Sequence, residues 1–296
     1  MKLKKVSKFI VVFTVITTCL GFSVNKSSAN TAVKTVAQTI DNFLEPKIDI
    51  AIPVLFTDIP AVKFIGLTAN NTLVNINLRG VSQVVQVTGI NGNLQAIDFR
   101  PANRLLYGVT DTDNVYTIDP VSGVATFVSK LSSSFNGGFQ SGFDFNPVPD
   151  RLRIVGSNEQ NFRTNVDNGQ TIVDVNLAYG ATDANAGVDP NITAEAYTNS
   201  FAGTTTTQLF GIDYDLDVLV LQNPPNNGTL QTIGSLGVNF APIGGFDIFT
   251  DAQGKNTAYA VSDTVLYTIN LSTGAATKIA NVPRGNFIGL AVTSND

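Results

Sequence analysis

Apolar and polar positions alternate along most of the chain, and the alternation recurs as one unit five times. The clearest copy, residues 96–130, reads AIDFRPANRLLYGVTDTDNVYTIDPVSGVATFVSK. It predicts four short strands: an apolar strand with a central acidic residue, a strand of aliphatic-aromatic-small-aliphatic pattern, its hairpin partner, and a last strand behind an Asx-Gly turn. The second strand returns at 64–68, 106–110, 209–213 and 258–262, and a departing copy stands at 152–156. The Asx-Gly turns return at 77–80, 119–123, 167–169, 223–228 and 270–274, where Asn and Asp bond the backbone locally and Gly tolerates positive φ. Units of this length with four strands each predict an all-β fold, a five-bladed β-propeller. The first unit, 63–90, lacks a strand ahead of it, and 287–292 has nothing after it, so the expected first blade is closed by the C-terminal strand.

The repeat is expected to fill residues 63–296. Ahead of it, Lys2, Lys4, Lys5 and Lys8 precede an apolar run at 9–24, and Ser27, Ser28 and Ala29 present small residues to a signal peptidase. Residues 1–29 therefore read as a cleaved leader, with secretion or placement in the cell envelope as the expected destination. Cys19 sits in a poor lipobox, because apolar residues continue past it. In 30–62, Val33, Val36, Ala37, Ile40, Phe43 and Leu44 fall at helical spacing until Pro46, and 47–52 alternates like an edge strand. A short N-terminal helix and an edge segment are expected there.

Composition narrows the chemistry. His and Trp are absent, and the single Cys and single Met both lie in the leader. After cleavage the chain offers no thiolate or imidazole metal site, no Ser-His-Asp or Cys-His arrangement and no disulfide. Removal of the five leader lysines leaves 13 basic residues against 23 acidic, a balance of −10. Scattered basic residues exclude a phosphate-binding stripe, so nucleic acid is not an expected partner, and no segment after the leader is apolar enough for an integral span.

Three stretches carry a more specific likeness: GFDFNPVPDRLRIVGSNEQNFRTNVDNG at 142–169, AYTNSFAG at 196–203 and LFGIDYDLDVLVLQNPPNNGTL at 209–230. In order and spacing they resemble the exported bacterial family called domain of unknown function 4394, over about 63–292. The resemblance implies a secreted or envelope-associated propeller without an established activity, and it supplies no catalytic residues.

First strands of a propeller line the central channel, which brings Asp98, Asp144 and Asp247 into one slot, shared with Ala196 and Ala291 in the other two units. Three carboxylates round a ring fit a cation or acid-base hydrolysis; the alternative is that each bonds backbone groups of an adjacent turn. Glu195 and Glu159 are further candidate acids. Arg153 stands where other units have Tyr107, Phe210 and Tyr259, and Arg163 where they have Tyr116 and Tyr267. The two guanidinium groups are expected to converge near Asp144, with Asn158, Gln160 and Asn161 close by. They form either a forked anion site or a structural network. Asp183, Asn185 and Asp189 alternate like calcium ligands but lack the distal glutamate of an EF-hand loop, and Asp213, Asp215 and Asp217 alternate as well; turn formation is the alternative for both.

The expected function is a non-catalytic binding or structural module for a small-molecule, glycan or protein ligand, with no cofactor apart from an optional calcium ion. The alternative is a carboxylate- or calcium-dependent hydrolase acting on glycans or lactones through the channel.

Overall fold

The structure, a computed structural model, describes residues 62–77, 80–282 and 285–294. The expected leader, helix and edge segment lie outside the described residues. Within them the fold is all-β, with one turn of 3-10 helix at Pro225–Asn227.

In chain order, β1 (Val62–Thr68), β2 (Thr72–Asn77) and β3 (Gly80–Gln86) open the fold. Then come β4 (Leu94–Phe99), β5 (Leu106–Thr110), β6 (Asn114–Ile118) and β7 (Ala125–Lys130), followed by β8 (Ser141–Asn146), β9 (Arg151–Gly156), β10 (Asn161–Thr164) and β11 (Thr171–Val173). A longer connection carrying β12 (Ala178–Tyr179) leads to β13 (Ile192–Tyr197), β14 (Leu209–Asp213), β15 (Val218–Gln222) and β16 (Thr229–Ser235). The chain ends with β17 (Gly244–Thr250), β18 (Asn256–Ser262), β19 (Val265–Ile269), β20 (Ala276–Asn281) and β21 (Phe287–Ser294).

These strands make five antiparallel sheets, ordered β21-β1-β2-β3, β4-β5-β6-β7, β8-β9-β10-β11, β13-β14-β15-β16 and β17-β18-β19-β20, with β12 added parallel to β16 on the fourth. We number them blades 1 to 5; the arrangement is a five-bladed β-propeller. β21 pairs antiparallel with β1, Phe64 facing Val292 and Ile65 facing Ala291. The innermost strands β21, β4, β8, β13 and β17 pack side by side around the axis.

Crowding at the axis dictates small residues. Two positions before the Asp/Ala slot, the five blades have Ala96, Gly142, Ala194, Gly245 and Gly289. A Cβ on Gly142 would strike the main-chain nitrogen and Cγ of Glu195 on the next blade, and one on Gly245 would strike the Leu290 nitrogen. Farther out, apolar side chains interdigitate between blades. Clusters of ten to twelve buried residues fill four of the five seams, but only six fill the seam between blades 3 and 4. That seam is polar, which draws attention to it.

Because strands run antiparallel, the first and third turns of every blade lie on one face of the ring. The second hairpins and the loops between blades lie on the other. Each second hairpin has a left-handed residue at its tip: Asn71, Asp113, Glu159, Asp217 and Asp263, with φ between 50° and 66°. Asn and Asp tolerate that conformation better than most residues. In three blades the tip side chain also accepts a main-chain N–H from the approach to the next blade: Asn71 from Leu94 at 2.7 Å, Asp113 from Phe135 at 2.9 Å, Asp217 from Phe240 at 2.7 Å.

Candidate functional site

An innermost strand is hydrogen bonded along one edge, so its free edge turns N–H and C=O groups toward the axis. Asp98 Oδ2 accepts the Phe145 amide at 3.2 Å, Asp144 Oδ2 accepts Tyr197 at 2.6 Å and Asp247 Oδ2 accepts Val292 at 2.5 Å. In each case the donor is the residue after the slot on the following blade. Where the preceding slot holds Ala196 or Ala291, the amide is taken by its own blade's aspartate: Ile248 N–H by Asp247 Oδ1 at 2.6 Å and Phe99 N–H by Asp98. Three carboxylates thus serve five amides, belonging to innermost strands and not to adjacent turns.

The three carboxylates are between 2% and 5% exposed, and this burial dominates their electrostatics. Asp98 rises to about 6, mainly by desolvation. Asp144 and Asp247 lie well above the usual carboxylate range, first by burial and then by the charge of their neighbours, Asp98 on both and Asp247 also on Asp144. Among the described residues no group of three His, Cys, Asp or Glu is arranged to hold a metal ion.

At the other end of the axis the free carbonyls meet one side chain. Gln140 Nε2 lies 2.8 Å from Ile288 O, 3.2 Å from Thr193 O, 3.3 Å from Gly244 O and 3.4 Å from Ser141 O. Those carbonyls belong to four of the five innermost strands. Gln140 occupies a position held by Leu94, Ile192, Ile243 and Phe287 in the other blades, a polar intrusion in an apolar column that sequence reasoning passed over.

In the polar seam, Arg153 is 2% exposed and fully engaged. Nη1 donates to Asn161 Oδ1 at 2.6 Å and Asp174 Oδ2 at 2.8 Å, Nη2 to Asn226 Oδ1 at 2.6 Å, and Nε to the Tyr197 hydroxyl at 3.3 Å. Arg163 Nε reaches Asp174 Oδ1 at 3.1 Å. The two arginines therefore converge on Asp174 and not near Asp144, correcting the sequence expectation. Asp144 faces Arg153 across the β8–β9 ladder, but its carboxylate is committed to Tyr197. Asp174 lies just past the three-residue strand β11, too short for alignment to place it.

The candidates beside the arginines brace loops. Asn161 Nδ2 donates to Val175 O and Pro225 O, and Gln160 Oε1 accepts the amides of Asn136 and Gly137, each at 2.9 Å. Asn158 Oδ1 is buried without a hydrogen bond. Glu195, in a slot otherwise held by Ile97, Phe143, Phe246 and Leu290, is 1% exposed, and neither carboxyl oxygen has a hydrogen-bond partner. Burial raises it to about 8 despite the opposing charge of Arg153.

Asp183 and Asp213 accept main-chain amides of adjacent turns. Asp183 accepts the Asn185 amide at 2.9 Å and the Thr232 amide at 2.6 Å, Asn185 Nδ2 donates to the Thr232 hydroxyl, and Asp189 is exposed. Asp213 accepts from the Tyr179 hydroxyl and from the amides of Asn191, Asp215 and Leu216. A further clamp had no sequence expectation. Arg100, buried beside blade 3, forks onto both Asp150 and Asp167, with its nearest contacts at 2.5 and 2.6 Å. Its slot holds Asn146, Thr198, Phe249 and Thr293 elsewhere, so the lone charge was the available signal.

A surface groove of about 470 Å³ opens between blades 4 and 5, on the face of the first and third turns. Its lining includes Asn199, Thr206, Gln208, Asn256 and Ser272 around Phe210 and Leu271, and no ionisable side chain. One wall is the loop 198–208, tied to blade 5 by a reciprocal amide pair: Asn199 N–H to Asn256 Oδ1 at 2.8 Å and Asn256 Nδ2 to Asn199 Oδ1 at 2.9 Å.

The family described as Domain of unknown function (DUF4394) matches residues 72–291, which spans every blade, both channel rings and the groove. The chain belongs to this family. No curated protein matches. Among solved structures it is similar to a protein of unknown function from Bacteroides thetaiotaomicron VPI-5482, at 18% identity over 76% of this chain and 61% of that one, with a TM-score of 0.47. A second likeness, to a protein described as an auxiliary nutrient binding protein from Bacteroides ovatus ATCC 8483, has 12% identity over 72% of this chain and 57% of that one, with a TM-score of 0.41. The chain thus spans about three fifths of the length of these structures.

Proposed function

We propose that this member of the family is an exported, non-catalytic binding module that takes an uncharged polar ligand, a glycan foremost, in the groove between blades 4 and 5. The carrying observation is the groove lining: hydroxyl and carboxamide side chains over an apolar floor, with no charge. Such groups match sugar hydroxyls, and a wall pre-tied by the Asn199–Asn256 pair lowers the ordering cost of binding. Acid-base hydrolysis needs a carboxyl that substrate reaches, whereas the axial aspartates and Glu195 are at most 5% exposed.

The test is a panel of neutral oligosaccharides screened by melting temperature, since a ligand of the native state raises it. A rise that Gln208→Ala and Ser272→Ala diminish is expected. No rise with any member, or a rise indifferent to both substitutions, overturns the reading. Turnover of aryl glycosides or lactones that Asp144→Asn abolishes would transfer the function to the channel.

A further inference from the structure

The polar side chains of the groove between blades 4 and 5 divide into those already bonded and one left open. Thr207 Oγ1 donates to Thr198 O at 2.5 Å, Asn199 Nδ2 to Thr206 O at 2.9 Å, and Ser272 Oγ to Asn270 Oδ1 at 2.7 Å. Asn256 Oδ1 accepts the Thr250 hydroxyl at 2.8 Å as well as the Asn199 amide. Gln208 stands apart from these. Its side chain is exposed, lines the groove and bonds no described residue, so an Oε1 acceptor and an Nε2 donor are both open there.

The main chain beneath that carboxamide is pinned on both sides. Gln208 N–H donates to Thr198 Oγ1 at 2.8 Å, and Gln208 O accepts the Thr198 N–H at 2.9 Å. Only side-chain torsions are left to be ordered when a ligand arrives, which keeps the cost of engaging the group low.

A primary carboxamide presents one acceptor and one donor side by side. A single partner saturates both only if it offers one donor and one acceptor at matching spacing, as two adjacent hydroxyls do. A lone hydroxyl fills one of them. A carboxylate or phosphate only accepts, and so repels Oε1. A trans peptide unit turns its N–H and C=O in opposite directions. A nucleobase edge also fits the fork, but such bases are held by stacking as well, and Phe210 on the floor is 4% exposed.

We infer that Gln208 is the specificity-determining residue of the groove and selects a vicinal diol, with Oε1 accepting from one hydroxyl and Nε2 donating to its neighbour. From the blade 5 side, Ser272 Oγ can still accept from a further hydroxyl after donating to Asn270. The inference rests on the glycan reading of the groove and narrows it. Sugar residues with two adjacent free hydroxyls are preferred over those whose hydroxyls are separated by a linkage or an acetamido group.

Titration with methyl β-D-xylopyranoside, followed by NMR of the Gln208 side-chain amide, tests this against the analogue lacking the middle hydroxyl, which keeps two hydroxyls but no adjacent pair. Saturable shifts with the xyloside are expected, and about tenfold weaker binding of the analogue. In Gln208→Leu, read on the main-chain amides of Asn256 and Ser272, the xyloside should weaken by a similar factor and the two sugars should bind alike. Gln208 is a surface position, and the melting temperature of the variant verifies folding. Equal affinities for the intact protein, or a preference that survives Gln208→Leu, overturns the inference while leaving the groove a glycan site. No saturable shift of any groove residue with either sugar removes the glycan reading with it. Tighter binding of adenine than of the xyloside would assign the fork to a nucleobase and overturn the inference as well.

Discussion

Gln140 Nε2 lies 2.8 Å from the carbonyl of Ile288, a residue 148 positions away near the start of the last strand. The contact joins the inner strand of blade 3 to that of blade 1 across the axis, and the same nitrogen approaches three further carbonyls. Gln140→Leu matches the apolar residue of other blades at this position but leaves buried acceptors without a donor. The expected cost is about 1–3 kcal/mol in denaturant unfolding. A neutral substitution would mean that water replaces the carboxamide.

The pairing of β21 with β1 makes the first blade depend on both ends of the described chain. Deleting residues from Gly285 onward should expose the edge of β1 and abolish one sharp melting transition, since an unpaired inner edge also strips buried apolar surface. A truncated protein that melts as cooperatively as the intact one would contradict this.

The arginines that converge on Asp174 should separate in mutational cost. Arg153→Met breaks four bonds and leaves a carboxylate that is 5% exposed with only the outlying Arg163, for an expected loss of about 3–5 kcal/mol. Arg163 is 36% exposed and shares an acid that Arg153 still neutralises, so Arg163→Met should cost less than about 1 kcal/mol. Equal losses would show that Asp174 depends on both cations alike.

Stability should fall as pH rises from about 4.5 to 8. Glu195 has a folded pKa of about 8 against an ordinary 4.5, and Asp98 of about 6 against 3.8. An acid whose pKa is raised by folding holds more protons when folded, so its contribution is whole below the ordinary value and is lost as pH climbs through the folded one. Chemical denaturation across this range should therefore give a declining free energy, and Glu195→Gln should flatten the upper part of the decline. Stability rising over this interval would show these carboxyls to be charged when folded.

The blades were legible because a period of two, punctuated by Asx-Gly turns, is a local signal repeated five times. The slot alignment likewise placed Asp98, Asp144 and Asp247 at one level of the axis. Their partners were not legible, because each donor is a main-chain amide 45 to 53 residues away, which no side-chain pattern marks, as with Asp144 and Tyr197. Asp174 was missed because the strand before it has three residues and no periodicity to align. Gln140 was visible as a lone polar residue in an apolar column and Arg100 as a lone charge in an uncharged one, but a repeat is read for what its copies share. The groove was out of reach altogether, since its walls come from turns on two blades.

Three axial carboxylates among five blades have a mechanical consequence. Asp98 staples blade 2 to blade 3, Asp144 staples 3 to 4, and Asp247 staples 5 to 1, while the junctions 4/5 and 1/2 carry no such staple. The circle is thereby two arcs, one of three blades and one of two, that meet at joints without an axial carboxylate. The joint between blades 4 and 5 is the one beneath the groove, so the walls of that groove belong to different arcs and are held to each other by the Asn199–Asn256 pair at the rim and apolar packing below it.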